Sequence, residues 1–171
     1  VMISAHFGVW ELFVKWMGEY NAYFSGVIQR QKNRGANRFF HEQRGLTGAV
    51  QIYRKESLDT MYDILADNGI LALVSDQDAK QKGVFVDFFG TQASTPKGAA
   101  LFHQKSGSPL VFGVCIQIEL HKYRVEFVPV IPKSKSLQDI IQAYTTIIEK
   151  MVRRYPEQYF WFHRRWKTKQ G

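Results

Sequence analysis

The chain of 171 residues lacks several features that would place it in common classes of protein. It has one cysteine, Cys115, so a disulfide framework within the chain is excluded, and the apolar run around it predicts a buried side chain. No apolar run reaches the roughly 18 residues that a membrane-spanning helix needs. No signal peptide, internal repeat or low-complexity stretch is visible. Because 45% of the residues are hydrophobic, we expect a folded chain, with one domain over residues 1–171.

Short apolar runs alternate with helical patterns along the whole sequence. Strands are predicted at 1–4, 23–28, 49–53, 70–74, 84–89, 110–118 and 123–130. Helices are predicted at 11–20, 33–44 and 137–154, from a cap at Ser57 to a stop at Asn68-Gly69, and from Thr95-Pro96 to Gly107. This order predicts an α/β domain with a central, mostly parallel sheet that is flanked by helices, with one antiparallel hairpin at an edge.

Positive charge is concentrated in two segments of the chain, whose net charge is +8. Residues 26–55 contain seven Lys or Arg and one acid, and residues 153–171 contain six Lys or Arg and one acid. Together they hold 13 of the 23 basic residues. Such patches bind nucleic acid, anionic lipid or an acidic protein, or they form a solvated face that keeps the protein soluble.

The run His6-Phe7-Gly8-Val9-Trp10-Glu11 lies where the first predicted strand ends and the first helix begins. Active sites of open α/β sheets are usually built at this end of a strand. A carboxylate that holds one ring nitrogen of a histidine leaves the other nitrogen free to accept a proton. We therefore predict that Glu11 folds back onto His6, with Gly8 providing the backbone freedom, and that His6 acts as a base. A structural histidine with satisfied hydrogen bonds is the alternative.

A second polar group, Ser75-Asp76-Gln77-Asp78, follows the strand that is predicted at 70–74. Two acids in this position can bind a metal, orient a base or hold a cationic partner, and a capped turn with solvated side chains is the alternative. Basic residues surround the pair and no other carboxylate cluster joins it, so we predict no metal site. The apolar run 83–90 is interpreted as a core strand, although it would also suit the wall of an apolar cavity.

The third group is the C-terminal run 155–167, in which aromatic residues stand beside arginines. This mixture suits a lipid–water interface, where rings lie at headgroup depth and guanidinium groups bind phosphates. It also suits stacking on single-stranded nucleic acid. The chain has no aromatic RNP strand, KH loop or zinc-ligand spacing, so we favour lipid and expect no nucleic-acid partner.

Together these groups resemble the bacterial lipid A late acyltransferases, the lauroyl/myristoyl transferases of the lysophospholipid acyltransferase superfamily. The resemblance is carried by His6-Phe7-Gly8-Val9-Trp10-Glu11, Ser75-Asp76-Gln77-Asp78, Gly83-Val84-Phe85-Val86-Asp87-Phe88-Phe89-Gly90, Thr95 and Pro156-Glu157-Gln158-Tyr159-Phe160-Trp161-Phe162-His163-Arg164-Arg165. The His-x4-Asp/Glu pattern is shared by many acyltransferases, whereas the other blocks are more specific. The resemblance implies a glycerol-3-phosphate-acyltransferase-like fold and an enzyme that is associated with the cytoplasmic face of the bacterial inner membrane.

The resemblance also implies a reaction and its partners. A fatty acyl chain moves from acyl carrier protein, or from acyl-CoA, to a hydroxyl of a lipid A precursor or a related glycolipid, and no cofactor beyond the donor is expected. His6 would be the general base and Glu11 its partner, with Asp76 and Arg54 as catalytic support. The candidate substrate-binding residues are Arg30, Lys32, Asp78, Thr95, His163, Arg164 and Arg165. The implied partners are acyl carrier protein, an anionic glycolipid or phospholipid, and the membrane surface.

Two departures from the family pattern keep alternatives open. Relatives usually begin with an N-terminal membrane anchor and preceding helices, so the resemblance predicts that this chain is a fragment without them. The stretch 29–33 lacks the Arg-Pro of many relatives. An acyltransferase for another aminolipid or lysophospholipid is therefore an alternative, as is a non-catalytic module that binds anionic lipid.

The chemistry of acyl transfer agrees with so small a set of groups. Transfer from a thioester needs a deprotonated hydroxyl but little help for the leaving thiol, so one base with an orienting carboxylate is enough. We therefore expect direct transfer without an acyl-enzyme. The developing oxyanion needs a hydrogen-bond donor, for which Arg54 and the backbone amides near Gly8 are the candidates.

Overall fold

A computed structural model of the chain describes residues 1–20, 23–46, 48–54 and 57–170. Its strands are β1 (Met2–Ser4), β2 (Phe24–Ile28), β3 (Val50–Tyr53), β4 (Ile70–Val74), β5 (Val84–Phe88), β6 (Thr91–Thr95), β7 (Val111–Glu119) and β8 (Lys122–Pro129). Its helices are α1 (Trp10–Tyr20), α2 (Arg34–Gly45), α3 (Leu58–Ala66), α4 (Gly98–Ser106) and α5 (Leu137–Arg154). Short 3₁₀ turns lie at Lys80–Lys82 and Pro156–Gln158. Lys55, which belongs to the first basic segment, lies outside the described residues.

Six of these strands form the central sheet, in the order β3-β2-β4-β1-β7-β8. All neighbouring pairs are parallel except β7 and β8, which form an antiparallel hairpin at one edge. The predicted α/β domain with a mostly parallel sheet is therefore confirmed. Because β1 lies next to β4, the residues that follow these two strands emerge side by side at the carboxyl edge of the sheet.

The two faces of the sheet are covered by different helices, as the alternation of side chains along a strand requires. On one face, Met2 packs in a buried cluster with Phe13 and Met17 of α1, which also contains Cys115 at 2% exposure. On the other face, Ile3 packs in the largest cluster, to which α4 and α5 contribute. The predicted burial of the cysteine is confirmed, and β1 is buried on both sides.

Three of the predicted helix ends are confirmed by their capping contacts. Ser57 and Ser136 accept hydrogen bonds from the amides of Asp59 and Asp139 at the start of α3 and α5. Gly107, with a φ of +72°, ends α4 in the left-handed conformation.

The predicted helix start at Thr95-Pro96 is wrong, because Thr95 is the last residue of β6 and α4 begins at Gly98. Thr95 pairs with Val84 across a hairpin, and its hydroxyl donates to the carbonyl oxygen of Ala93 rather than capping a helix. Threonine is β-branched and therefore fits a strand well.

Strands β5 and β6 form a separate two-stranded hairpin that packs on α5. The turn residues Phe89 and Gly90 both have positive φ, which is the backbone of a tight two-residue hairpin loop. The amide of Phe89 donates to the side chain of Glu149 at 2.8 Å, which fixes the turn on α5. Val86 and Phe88 are each 1% exposed, so the interpretation of this apolar run as a core strand is confirmed. None of the helices formed by the described residues is long and apolar enough to cross a membrane.

Candidate active site

A tight turn between β1 and α1 places His6 at the carboxyl edge of the sheet. Gly8 has a φ of +61°, and a Cβ atom on this residue would lie 2.1 Å from the carbonyl oxygen of Cys115, so only glycine fits. The amide of Gly8 donates to the carbonyl of Gln158 at 2.8 Å, and the amide of Val9 donates to the carbonyl of Cys115 at 2.9 Å. The backbone that carries His6 is therefore fixed by close contacts on both sides.

Asp76 is the partner of the His6 ring. The sheet register pairs Ser4 with Val74, and His6 and Asp76 each follow two residues later. The ring Nδ1 lies 2.9 Å from Asp76 Oδ1, and the His6 amide donates to Oδ2 at 3.1 Å. The side chain of Asp76 is 3% exposed and that of His6 is 27% exposed. A carboxylate at this distance holds the proton on Nδ1, which leaves Nε2 as the nitrogen that can accept a proton.

Glu11 is bound to Arg44 of α2. Nε of Arg44 donates to Oε2 of Glu11 at 3.0 Å, and Nη2 donates to Oε1 at 2.5 Å. The predicted folding of Glu11 back onto His6 is therefore corrected: Asp76 takes the ring nitrogen, because β4 brings it there, and Glu11 lies against the neighbouring helix. Sequence reasoning missed Arg44, since its contact with Glu11 depends on how α1 and α2 pack together. The catalytic roles of Asp76 and Glu11 remain predictions.

The C-terminal segment, residues 156–168, holds the backbone around His6. The amide of Phe160 donates to the carbonyl of His6 at 3.0 Å, and Phe7 forms an antiparallel bridge with Tyr159. Tyr159 is 6% exposed, and burial raises the pKa of its phenol, with the charge of Asp76 acting in the same direction. The segment therefore packs directly against the backbone that carries His6.

The same segment also holds the loop that carries Asp76. The amide of Asp78 donates to Nε2 of His163 at 2.8 Å, and the hydroxyl of Thr168 donates to Oδ2 of Asp78 at 2.8 Å. Burial lowers the pKa of His163, which agrees with a neutral ring that accepts a hydrogen bond. Asp78 and His163 are thus brought together near His6, although both were predicted to bind substrate.

Arg165 and Thr95 are also brought together, and both are buried, at 2% and 0% exposure. Nη1 of Arg165 donates to the carbonyl of Ser94 at 2.7 Å, Nη2 donates to the hydroxyl of Thr95, and the guanidinium lies 5.4 Å from the ring centroid of Phe88. Burial lowers the pKa of Arg165, and the charges of nearby groups, Asp76 among them, oppose this effect. The two side chains bind each other in the interior, whereas the adjacent Arg164 is exposed.

The other basic candidates lie at the same edge of the sheet but further from His6. Arg30 and Lys32 follow β2, Arg54 follows β3, and all three are exposed. Arg30 lies over the ring of Tyr53, at 4.7 Å from its centroid. Because β3 is three strands from β1, the spacing between strands separates Arg54 from the base by about 14 Å.

Two groups of backbone amides near His6 differ in whether they can bind an oxyanion. The amides of His6, Phe7, Gly8 and Val9 all donate within the protein, so the predicted amides near Gly8 are already in use. The first amide of α1 that donates to a helical carbonyl is that of Phe13, which binds Val9, so the preceding amides at Trp10 to Leu12 have no helical acceptor. They begin directly after the His6 turn.

Aromatic side chains line the approach to His6. Its ring lies 5.6 Å from that of Trp10 and 6.1 Å from that of Phe160, between centroids, and Phe162 beside Phe160 is 91% exposed. A hollow of about 250 Å³ adjoins them, lined by residues 8–10, 117 and 157–160. A larger apolar cavity of about 540 Å³ lies at the opposite end of β1, beside Val1, and is not part of this site.

Among the described residues, no group of three or more His, Cys, Asp or Glu side chains is placed to hold a metal ion. The two carboxylates after β4 are instead bound by His6 and Thr168.

Comparison with known proteins agrees with this geometry. Residues 1–168 match the model of a family described as bacterial lipid A biosynthesis acyltransferase. The phosphatidylinositol mannoside acyltransferase of Mycolicibacterium smegmatis is 27% identical over 114 residues, which are 64% of this chain and 38% of that protein. The lipid A biosynthesis palmitoleoyltransferase of Escherichia coli is 33% identical over 98 residues, which are 55% of this chain and 32% of that protein. The matches thus cover about a third of the length of these curated relatives.

Proposed function

This chain belongs to the bacterial lipid A biosynthesis acyltransferase family, and on that premise we propose that it catalyses acyl transfer to a glycolipid. The donor is acyl carrier protein, or acyl-CoA, and the acceptor is a hydroxyl of a lipid A precursor or a related phosphate-bearing glycolipid. The observation that carries the proposal is the His6–Asp76 pair at the carboxyl edge of the sheet, with Nδ1 and Oδ1 2.9 Å apart.

The proposed reaction is a direct transfer with His6 as general base. Nε2 removes the proton of the acceptor hydroxyl while its oxygen attacks the thioester carbonyl. The tetrahedral intermediate then collapses to the new ester, the carbon–sulfur bond breaks, and the thiolate takes the proton from the imidazolium. Asp76 holds the ring tautomer and stabilises the imidazolium. No nucleophilic side chain and no further cofactor take part in this scheme.

The negative charge on the former carbonyl oxygen needs donors that are aimed in advance. The first turn of α1 supports this role, because its amides at Trp10 to Leu12 have no helical acceptor and the positive end of the helix dipole lies there. Arg54 is less suitable because two strands, β2 and β4, lie between β3 and β1. We therefore propose the start of α1 as the oxyanion site.

The surroundings of His6 suit both substrates. The rings of Trp10, Phe160 and Phe162 give an apolar wall for the acyl chain, and Phe162 with Arg164 suits a lipid surface. Arg30, Lys32 and Arg54 offer positive charge to the phosphates of the acceptor or to the acidic surface of a carrier protein. We propose peripheral association with the cytoplasmic face of the inner membrane.

The experiment is acyl transfer from labelled acyl carrier protein, or labelled acyl-CoA, into extracted bacterial lipid, with the product identified by mass spectrometry. We expect a labelled glycolipid, and a loss of roughly 100- to 10,000-fold with His6→Ala, the usual contribution of a general base. His121→Ala is the matched control, because His121 is exposed in the turn between β7 and β8. A folded His6→Ala protein with near-normal turnover would overturn the mechanism. Lipid binding without any product would favour the non-catalytic alternative.

A further inference from the structure

We propose that Arg165 is a positioning residue, whose guanidinium joins the end of β6 to the C-terminal segment and so holds Asp76 against His6. The proposal rests on the proposed function and deepens it, because it gives a positioning role in that reaction to a cation that is almost fully buried. Its subject is the Asp76 loop, residues 75–79, which connects β4 to the turn at Lys80–Lys82.

The first link between Arg165 and the Asp76 loop is a single carbonyl group. The carbonyl oxygen of Ser94 accepts from Nη1 of Arg165 at 2.7 Å and from the amide of Ala79 at 3.1 Å. The hydroxyl of Ser94 donates to the carbonyl of Lys80 at 2.5 Å. The end of the Asp76 loop is therefore fixed to β6 at the point where Arg165 also binds.

The second link runs through the neighbours of Arg165 in the chain. The backbone amide of Asp78 donates to Nε2 of His163, and the hydroxyl of Thr168 donates to the carboxylate of Asp78, each at 2.8 Å. Asp78 is two residues from Asp76. The C-terminal segment thus contacts the Asp76 loop through one residue before and one residue after Arg165 in the sequence.

The other half of the catalytic pair depends on the same segment. The carbonyl of His6 accepts from the amide of Phe160 at 3.0 Å, and the amide of Gly8 donates to Gln158. One segment therefore carries contacts to both His6 and the Asp76 loop. A displacement of the segment at Arg165 is therefore expected to change the position of Asp76 relative to His6, and so to lengthen or misalign the 2.9 Å contact between them.

The burial and shape of Arg165 agree with a positioning role. At 2% exposure its side chain is not placed to meet a substrate in solvent or membrane. Burial lowers the pKa of Arg165, and the charges of Asp76 and Asp78 act against this effect. The planar guanidinium donates to two acceptors on β6 at once, the Ser94 carbonyl and the Thr95 hydroxyl. A lysine keeps the charge but offers a single nitrogen, so it cannot reproduce this fork.

The test is Arg165→Lys, with Arg154→Lys as the matched control because Arg154 is exposed at the end of α5. We expect kcat to fall roughly 10- to 100-fold, as small displacements of catalytic groups do, with KM for the donor unchanged. In ¹⁵N spectra, the His6 ring should change from the Nδ1-protonated tautomer to a mixture. The control should retain both the rate and the tautomer.

A second variant, Thr95→Val, removes one acceptor of the fork while keeping the side-chain volume, and is expected to give a smaller change in the same direction. A folded Arg165→Lys or Thr95→Val protein with wild-type kcat and a pure Nδ1 tautomer would overturn the proposal. The spectra also separate this inference from the proposed function. If the wild-type chain transferred no acyl group, the function would fail, while the tautomer of His6 in these variants would still decide the role of Arg165.

Discussion

The region around β1 and β4 differs from the region around β2 and β3, although both lie at the carboxyl edge of one sheet. Around β1, Asp76 and Arg165 are buried and bound to defined partners. Around β2 and β3, Arg30, Lys32 and Arg54 are exposed. Fixed geometry is what proton transfer needs, whereas attraction of an anionic ligand acts over a distance and needs only charge. The first region therefore suits the chemistry and the second suits binding.

The ion pair between Glu11 and Arg44 connects these two regions. Its side chains are 40% and 22% exposed, and it joins α1, whose first turn follows His6, to the basic helix α2. It is thus a direct contact between the helix that begins beside His6 and the helix that follows β2.

The largest effect on the difference between the two regions is expected for Asp76→Asn. The backbone amide and ring Nδ1 of His6 each use one oxygen of Asp76, whereas asparagine offers a single oxygen. Its NH2 group then faces one of these two donors and favours the wrong ring tautomer, so kcat should fall roughly 100- to 10,000-fold. Steady-state kinetics and the ¹⁵N spectrum of His6 measure the rate and the tautomer. Asp63→Asn, at an exposed position on α3, is the control. An unchanged rate in folded Asp76→Asn would remove the distinction between the two regions.

A smaller loss is expected when the ion pair between the regions is broken. Glu11→Gln, Arg44→Gln and the double variant should each lose roughly three- to tenfold in kcat/KM, because a partly exposed pair acts as a unit and its losses do not add. The tautomer of His6 should stay as in the wild type. A tautomer change in Glu11→Gln would mean that Glu11, rather than Asp76, controls the ring.

Neutralising the exposed arginines that follow β2 and β3 should affect binding of the anionic acceptor but not the chemical step. Arg30→Gln and Arg54→Gln are expected to raise KM for the anionic acceptor by a few-fold at low salt, with kcat unchanged, and the difference should vanish as salt screens the charges. Kinetics at increasing ionic strength measure this, with Lys150→Gln on α5 as the control. A fall in kcat at saturating acceptor would show that these arginines belong to the chemistry.

The smallest effect concerns stability and pH. Burial lowers the pKa of His163 below the ordinary value of 6.5 that applies to the unfolded chain, while the charges of Asp76, Asp78, Arg165 and His6 also act on it. As the pH falls below 6.5, the unfolded state takes up a proton that the folded ring resists, so the free energy of unfolding should decrease. His163→Gln retains an acceptor for the Asp78 amide but does not titrate. Thermal unfolding between pH 7.5 and about 5.5 should therefore show a shallower decline for this variant. Equal slopes would show that His163 is not protected from protonation.

Local patterns were enough to predict most of the fold. The apolar runs, the serine caps of α3 and α5 and the stop at Gly107 depend on neighbours in sequence, and all are confirmed. Strand β6 was missed because its sequence, Thr91–Thr95, is mostly polar. Its residues 93–95 are buried by parts of the chain that are distant in sequence, among them the largest core cluster and the guanidinium of Arg165.

The candidate site was predictable in its location but not in its pairing. Polar residues that follow parallel strands meet at one edge, so His6 and Asp76 were both found from sequence. Glu11 was assigned to the ring because it is close in sequence, whereas the structure brings in Asp76 from 70 residues away through the pairing of Ser4 with Val74.

The sequence by itself determined the α/β class, the strand-to-helix turn at His6 and the polar and aromatic groups that lie around it. These follow from periodicity and from the residue types that turns and caps require, which are local properties of the chain. Only the tertiary structure decided that Asp76 binds His6, that Glu11 binds Arg44 and that Arg165 is buried. The reason is that strand order and helix packing join residues far apart in the chain, and no local pattern specifies which of several acids and cations will meet.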